Sequence, residues 1–136
     1  MAGILCDAGI QVINSFLGQN FTSQPVLVGL FTNNHTPAVG DTLANYTEAG
    51  FGGYAEQPLT TFVDNGTTSH IDTIQFGPVV FTCTGAPLTE TIYGYFLTVL
   101  GVLVGAVKFA TPIPVNAPGQ AVVVVSTLSY QDRSIA

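Results

Sequence analysis

The chain has 136 residues, 7% of them charged, with Lys108 and Arg133 as its two cations against eight acids. A formal net charge of −6 argues against nucleic-acid binding, which needs several Lys or Arg to neutralise phosphates, and against anionic membrane surfaces for the same reason. The 47% hydrophobic and 10% aromatic content argues against disorder, and the length fits one domain over residues 1–136 that buries about two-thirds of its unfolded surface. Ordinary soluble domains carry about 25% charged residues. Here Thr, Ser, Asn, Gln and backbone groups must coat the solvated face, which suits a subunit packed against neighbours better than a lone monomer.

At the N-terminus, Met1-Ala-Gly-Ile-Leu-Cys-Asp7 lacks the basic segment of a signal peptide. Ile4, Leu5, Ala8, Val12, Phe16 and Leu17 recur on one face of a 3.6-residue period and predict one α-helix at about 4–17, with Gly18 as its cap. After Pro25 the period changes. Val26 to Thr32 reads as a strand ended by Asn33-Asn34 and Pro37. Residues 41–49 read as one helical turn or a structured loop with Asp41 as N-cap, and Gly50, Gly52 and Gly53 allow bending before a strand from Tyr54 to about Thr61. Asp64-Asn-Gly66 is a turn signal. Strands are predicted at Ser69–Phe76, Val79–Thr84, Thr91–Val99, Val102–Phe109 and Gln120–Tyr130, with Asn116-Ala-Pro-Gly119 as a turn. Val79, Phe81 and Cys83 alternate with Val80, Thr82 and Thr84, giving a core face and a hydroxyl-rich face. The expected fold is mostly β: an antiparallel β-sandwich or barrel, jelly-roll-like, with one N-terminal α-helix.

Thr91 to Val107 carries no charge and places Gly101 and Gly105 at the spacing of packed membrane helices. Its 17 residues are short for a span and rich in Tyr, Thr, Val and Gly, so two strands meeting near Leu100-Gly101 fit better. Both alternating faces are apolar in Thr91–Val99 and again in Ala121–Val125. A free two-sheet domain shows one wet face per strand, and uncovered segments of this kind aggregate. Neighbouring subunits are the expected cover, with Val123, Val124, Tyr93 and Tyr95 as candidate homo-oligomer interface residues.

Chemistry is scarce. His70 and Asp72 share a strand face near Asp64, which reads as a polar pair near a turn, and His35 sits in a polar loop. No phosphate loop, zinc spacing or nucleophile turn is present, so no catalytic residue, metal site or cofactor is expected. Cys6 and Cys83 read as buried free thiols. The four triplets at Asn20, Asn34, Asn45 and Asn65 reflect a Thr- and Asn-rich composition rather than glycosylation. Tyr46, Phe51, Tyr54, Tyr93 and Tyr95 read as core and strand packing before an aromatic binding strip.

Leu30-Phe-Thr-Asn33, Thr36-Pro37, Leu43-Ala-Asn-Tyr-Thr-Glu-Ala49 and Phe51-Gly-Gly-Tyr-Ala55 together resemble a run in small proteins encoded among tailed-bacteriophage virion genes, and Tyr93-Gly-Tyr-Phe96 resembles a second block of them. With the preceding helix these blocks cover about half the chain. The resemblance implies a virion component of the head decoration (cement) class, often β-rich trimers that clamp the major capsid protein. It implies synthesis in the host cytoplasm and residence on the capsid surface. A tail, neck or fibre subunit, or a host-receptor or glycan binder of the virion, is the alternative.

Overall fold

The computed structural model describes residues 4–5, 26–59, 62–68, 71–76, 78–87, 89–125 and 127–131. Among the described residues ten strands run in chain order: β1 (Ile4–Leu5), β2 (Leu27–Phe31), β3 (Gln57–Pro58), β4 (Phe62–Thr68), β5 (Ile71–Phe76), β6 (Val79–Thr82), β7 (Glu90–Val99), β8 (Val102–Val115), β9 (Ala121–Val124) and β10 (Thr127–Gln131). They form a five-stranded sheet in the order β1-β8-β7-β2-β3, a three-stranded sheet β10-β5-β4 and a pair β6-β9. All neighbours are antiparallel. The mostly-β expectation holds.

The expected helix fares differently. Ile4 and Leu5, where it was to begin, pair with Ala106 and Gly105, so the edge of β8 takes an apolar pair that the local period assigns to a helix. Residues 6–17 lie outside the described residues. Among the described residues the one helical element is a 3-10 turn at Leu43–Asn45. Its cap is Thr42, whose N–H donates to Asn45 Oδ1 at 2.9 Å, not Asp41.

β7 and β8 form the central hairpin, Val99 facing Val102 across Leu100-Gly101. Both turn residues have positive φ, 51° and 75°. That matches the two-residue turn whose twist suits antiparallel strands, and a bulky residue at the first position costs about 1–2 kcal/mol. β8 continues past the expected end at Phe109 to Val115, through Pro112 and Pro114. Among the described strands this half of β8 pairs with β7, Ile113 with Ile92 and Pro114 with Thr91.

Strand alternation sorts the core into two clusters. Val28, Leu30, Tyr95, Leu97 and Val99 on one face of the five-stranded sheet share a cluster with Val79, Phe81, Cys83, Val122 and Val124 from β6, β9 and the segment after β6. On the opposite face Phe31, Phe96, Leu103 and Ala106 gather with Tyr46 from the 33–47 loop. Two glycines make room there. Phe96 lies over its cross-strand partner Gly29, where a Cβ would come within 2.3 Å of the ring, and Phe31 lies over Gly94, where it would come within 2.6 Å.

The free edge of β2 is closed piecemeal. Val28 pairs with Gln57, Ala49 N–H donates to Leu30 O at 2.9 Å and Thr32 N–H to Thr47 O at 2.8 Å. Between them Leu30 N–H donates to the Tyr54 hydroxyl at 3.0 Å, a side chain filling a ladder position that a buried amide cannot leave empty. Tyr54 is therefore outside any strand, and among the described residues of the strand expected from 54 to about 61 only Gln57–Pro58 is strand; residues 60 and 61 lie outside the described residues.

Two further expectations are corrected. Asp64-Asn-Gly66 is not a turn but part of β4: Asp64 faces Ile74 and Thr67 faces Asp72, three steps against two, so the extra residue is taken up as a bulge. The expected strand 120–130 is two strands. Gln75 faces Thr127 and Val79 faces Val124, so the pairing of β5 with β10 resumes between β6 and β9 with a one-residue offset.

Candidate interaction surface

β6 and β9 present the surface that the composition leaves hardest to explain. Val79, Phe81, Val122 and Val124 point inward and are buried, as alternation requires. Their neighbours point out, and three are large and apolar: Val80 is 50% exposed, Val123 54% and Val125 49%. Val80 and Val123 are direct cross-strand partners, so they form one ridge. Thr82 and Ala121, the next exposed pair, face each other beside it. The hydroxyl-rich outer face expected from 80, 82 and 84 is thus half valine once β9 is laid beside β6.

The four residues expected at an oligomer interface separate. Val123 is on the ridge. Val124, one position on, is 2% exposed and belongs to the core, and Tyr95 is 4% exposed in the same cluster. Tyr93 is half-buried against the second cluster. A side chain enclosed by its own chain has no area to offer a partner, so the surface runs through Val80, Val123 and Val125 instead. Adjacent strand positions face opposite ways, which was enough to separate Val123 from Val124, but choosing the outer one needed knowledge of which face the core takes. Val80 was hidden behind its hydroxyl neighbours in sequence.

Next to the ridge, between β8 and β9, is a cleft of about 210 Å³ lined by Tyr95, Val107, Lys108, Phe109, Ala110 and Val123–Val125. It is smaller than the roughly 300–1,000 Å³ of small-molecule pockets. Tyr46, Phe51, Tyr54, Tyr93 and Tyr95 form no exposed strip: each is buried in, or packed against, one of the two clusters.

Polar chemistry is used to hold loops. Asp41 Oδ2 accepts from the Tyr46 hydroxyl at 2.6 Å, His35 Nε2 at 2.7 Å and Ala38 N–H at 2.9 Å, which pins the 33–47 loop over the second cluster. Burial pushes this carboxyl upward, but the bonds from Tyr46, Ala38 and His35, with the His35 charge, hold it below its ordinary value. The two Glu90 oxygens accept from Gly50 N–H, each at 3.0 Å, and Oε2 also from Phe51 N–H at 3.0 Å, fixing the glycine-rich bend to β7. The Tyr54 hydroxyl donates to Glu48 Oε1 at 3.0 Å, and burial, followed by Glu48, keeps its phenol far above the usual range. Glu56 is raised by burial first and then by the charge of Glu48, with which it shares a hydrogen bond.

Among the described residues no three His, Cys, Asp or Glu gather as a metal site. Asp72 lies in β5 opposite Thr67 and Tyr130, while His70 is outside the described residues. Cys83 is a buried free thiol, and Cys6 is outside them. Among the described residues no helix is long and apolar enough to cross a membrane; residues 91–107 are hairpin strands. No family model, curated protein or solved structure matches the chain.

Proposed function

We propose that this chain is a structural subunit, not an enzyme, that works as a homo-oligomer in a virion shell, as a head decoration (cement) protein on the major capsid protein. The observation that carries the subunit reading is the ridge of Val80, Val123 and Val125, each about half exposed. With 7% charged residues the surrounding surface supplies little ionic hydration to compensate. Such a patch marks a protein contact. The virion setting rests on the likeness of residues 30–55 and 93–96 to tailed-phage virion proteins, and the trimer number on the same likeness. The core shared by β6, β9 and the five-stranded sheet supports an antiparallel, jelly-roll-like sandwich. Nothing in the reading calls for a cofactor, a nucleic acid or a membrane.

Binding to the shell is dominated by apolar packing and neutral hydrogen bonds, because a chain with two cations, Lys108 and Arg133, neutralises few carboxylates on a partner. The test strips the protein from shells and adds it back at low salt and at about 1 M, where the Debye length is roughly 3 Å. Rebinding should persist at both, because salt does not weaken apolar burial. Complete loss at high salt would show that charge dominates. Failure to rebind intact shells at any salt, with few copies per particle by quantitative staining, would favour a tail, neck or fibre part or a receptor or glycan binder.

A further inference from the structure

Leu100 breaks two local rules at once. It is the one non-glycine residue with positive φ among the described residues, at 51°, in a turn served best by Asn-Gly. Its side chain is also 74% exposed, the largest value among the exposed large apolar residues, and Val102 beside it is 38% exposed. Backbone strain and apolar exposure at one hairpin tip are both relieved by Asn or Gly, so a leucine there needs a use outside its own chain.

We propose that Leu100 is a knob that enters the cleft between β8 and β9 of a second copy, joining copies head to tail. The inference rests on the homo-oligomer reading above and names its contact. Leu100 cannot fill the cleft of its own chain. Val107, where the cleft begins, lies seven positions along β8, about 20 Å at the rise of a strand. The cleft wall is mixed, about half of it apolar, with Tyr95, Val107, Phe109, Ala110, Val123 and Val125 lining it beside Lys108, and its size of about 210 Å³ suits one or two side chains.

Charge favours the same pairing. Copies of net charge −6 repel one another, yet no acid lies in the tip at 98–104 or lines the cleft. The cleft wall instead carries Lys108, the one Lys or Arg among the described residues. Two acidic copies therefore meet where each is least negative. Knob and cleft are different surfaces of one chain, so the contact is heterologous and closes into a ring when the rotation allows, as a trimer would. Val123 and Val125 belong both to the ridge and to the lining of the cleft, and the valine ridge supplies area around the knob.

The test is sedimentation velocity on the full chain at micromolar concentration, with far-ultraviolet circular dichroism to verify folding. Leu100→Asn suits the turn and should fold at least as well as wild type while associating at least tenfold more weakly; Leu100→Gly should behave alike. Ala110→Phe fills the cleft from its exposed wall and should also prevent association. An equimolar mixture of the Leu100→Asn and Ala110→Phe chains should form dimers and nothing larger, because one intact cleft and one intact tip remain. Leu100→Asn chains that sediment as wild-type oligomers would overturn this contact and leave the homo-oligomer reading standing. A mixture that stays monomeric would also overturn it. A wild-type chain that is monomeric throughout would remove both.

Discussion

β7 and β9 look alike in sequence and differ in the structure. Each is apolar on both alternating faces, and each is free of positive charge. In β7 every residue from Ile92 to Val99 except half-buried Tyr93 is buried: one face meets β6 and β9, and on the other Phe96 gathers with Phe31 and Leu103 of the same sheet beneath Tyr46 of the 33–47 loop. The roof is a loop held down by Asp41. In β9 only the inner face is covered, and Val123, with Val125 just beyond the strand, is left about half exposed. A doubly apolar strand therefore does not by itself signal a neighbouring subunit. It signals that something covers the second face, and for β7 that is the chain itself.

The sharpest way to break this comparison uses two adjacent residues of β9. Val124→Asp forces a carboxylate into the core and should cost about 4 kcal/mol or more, enough to unfold the chain. Val123→Asp puts the same charge on the ridge and should leave the fold intact while abolishing self-association. Thermal melts with sedimentation separate them, and equal unfolding by both would erase the distinction between the faces.

On β7 the covered second face should respond as a core. Phe96→Ala should cost about 3–5 kcal/mol. Gly94→Ala should cost about 1–3 kcal/mol, because its Cβ would sit 2.1 Å from Val107 O and 2.6 Å from the Phe31 ring. Denaturant titration measures both, and losses below about 0.5 kcal/mol would mean that this face is not closed.

The roof itself has a pH signature. Because the Asp41 carboxyl is held below its unfolded value of 3.8, its contribution is full above that value and is lost as pH falls through the folded pKa. Tyr46→Phe removes the 2.6 Å bond to Asp41 and should cost about 1.5–3 kcal/mol at neutral pH. The loss should shrink when melts are repeated at about pH 2–3. A cost that does not change with pH would place the effect in ring packing alone.

The smallest effect concerns the edge of β2. The Glu56 carboxyl is raised by burial and by Glu48, so its folded form favours the proton, an advantage present below the unfolded pKa and lost as pH rises through the folded one. Glu56→Gln keeps a permanent donor toward Glu48 and should stabilise the chain by up to about 0.5 kcal/mol at neutral pH, with no gain in acid. Urea melts at both pH values check the sign.

Much of the sheet was legible because its signals are local. The alternation of 79, 81 and 83 against 80, 82 and 84, the hairpin at Leu100-Gly101 and the turn at 116–119 follow from periodicity and turn chemistry. The turn at 116–119 is closed by Gln120 Oε1, which accepts from Asn116 and Ala117 N–H. What was not legible depends on partners distant in sequence. Ile4-Leu5 pairs with a strand about a hundred residues away, Asp64-Asn-Gly66 is held extended by β5, and β8 runs on through Pro112 and Pro114 while it pairs with β7. The candidate surface depends on distant partners in the same way. That the segment from Ala121 to Val125 has an outer face was readable; that Val80 completes it, and that Val124 and Tyr95 do not, required the register of β6 against β9.

The central claim is that the ridge of Val80 and Val123 is covered by another copy. Sedimentation equilibrium of the wild type beside the Val80→Thr/Val123→Thr double variant tests it most directly, since Thr keeps β propensity and removes only apolar surface. The account predicts a wild-type oligomer at micromolar concentration and an equally folded variant that is monomeric. A wild type that stays monomeric and soluble over that range, or a variant that assembles as well as wild type, would contradict it.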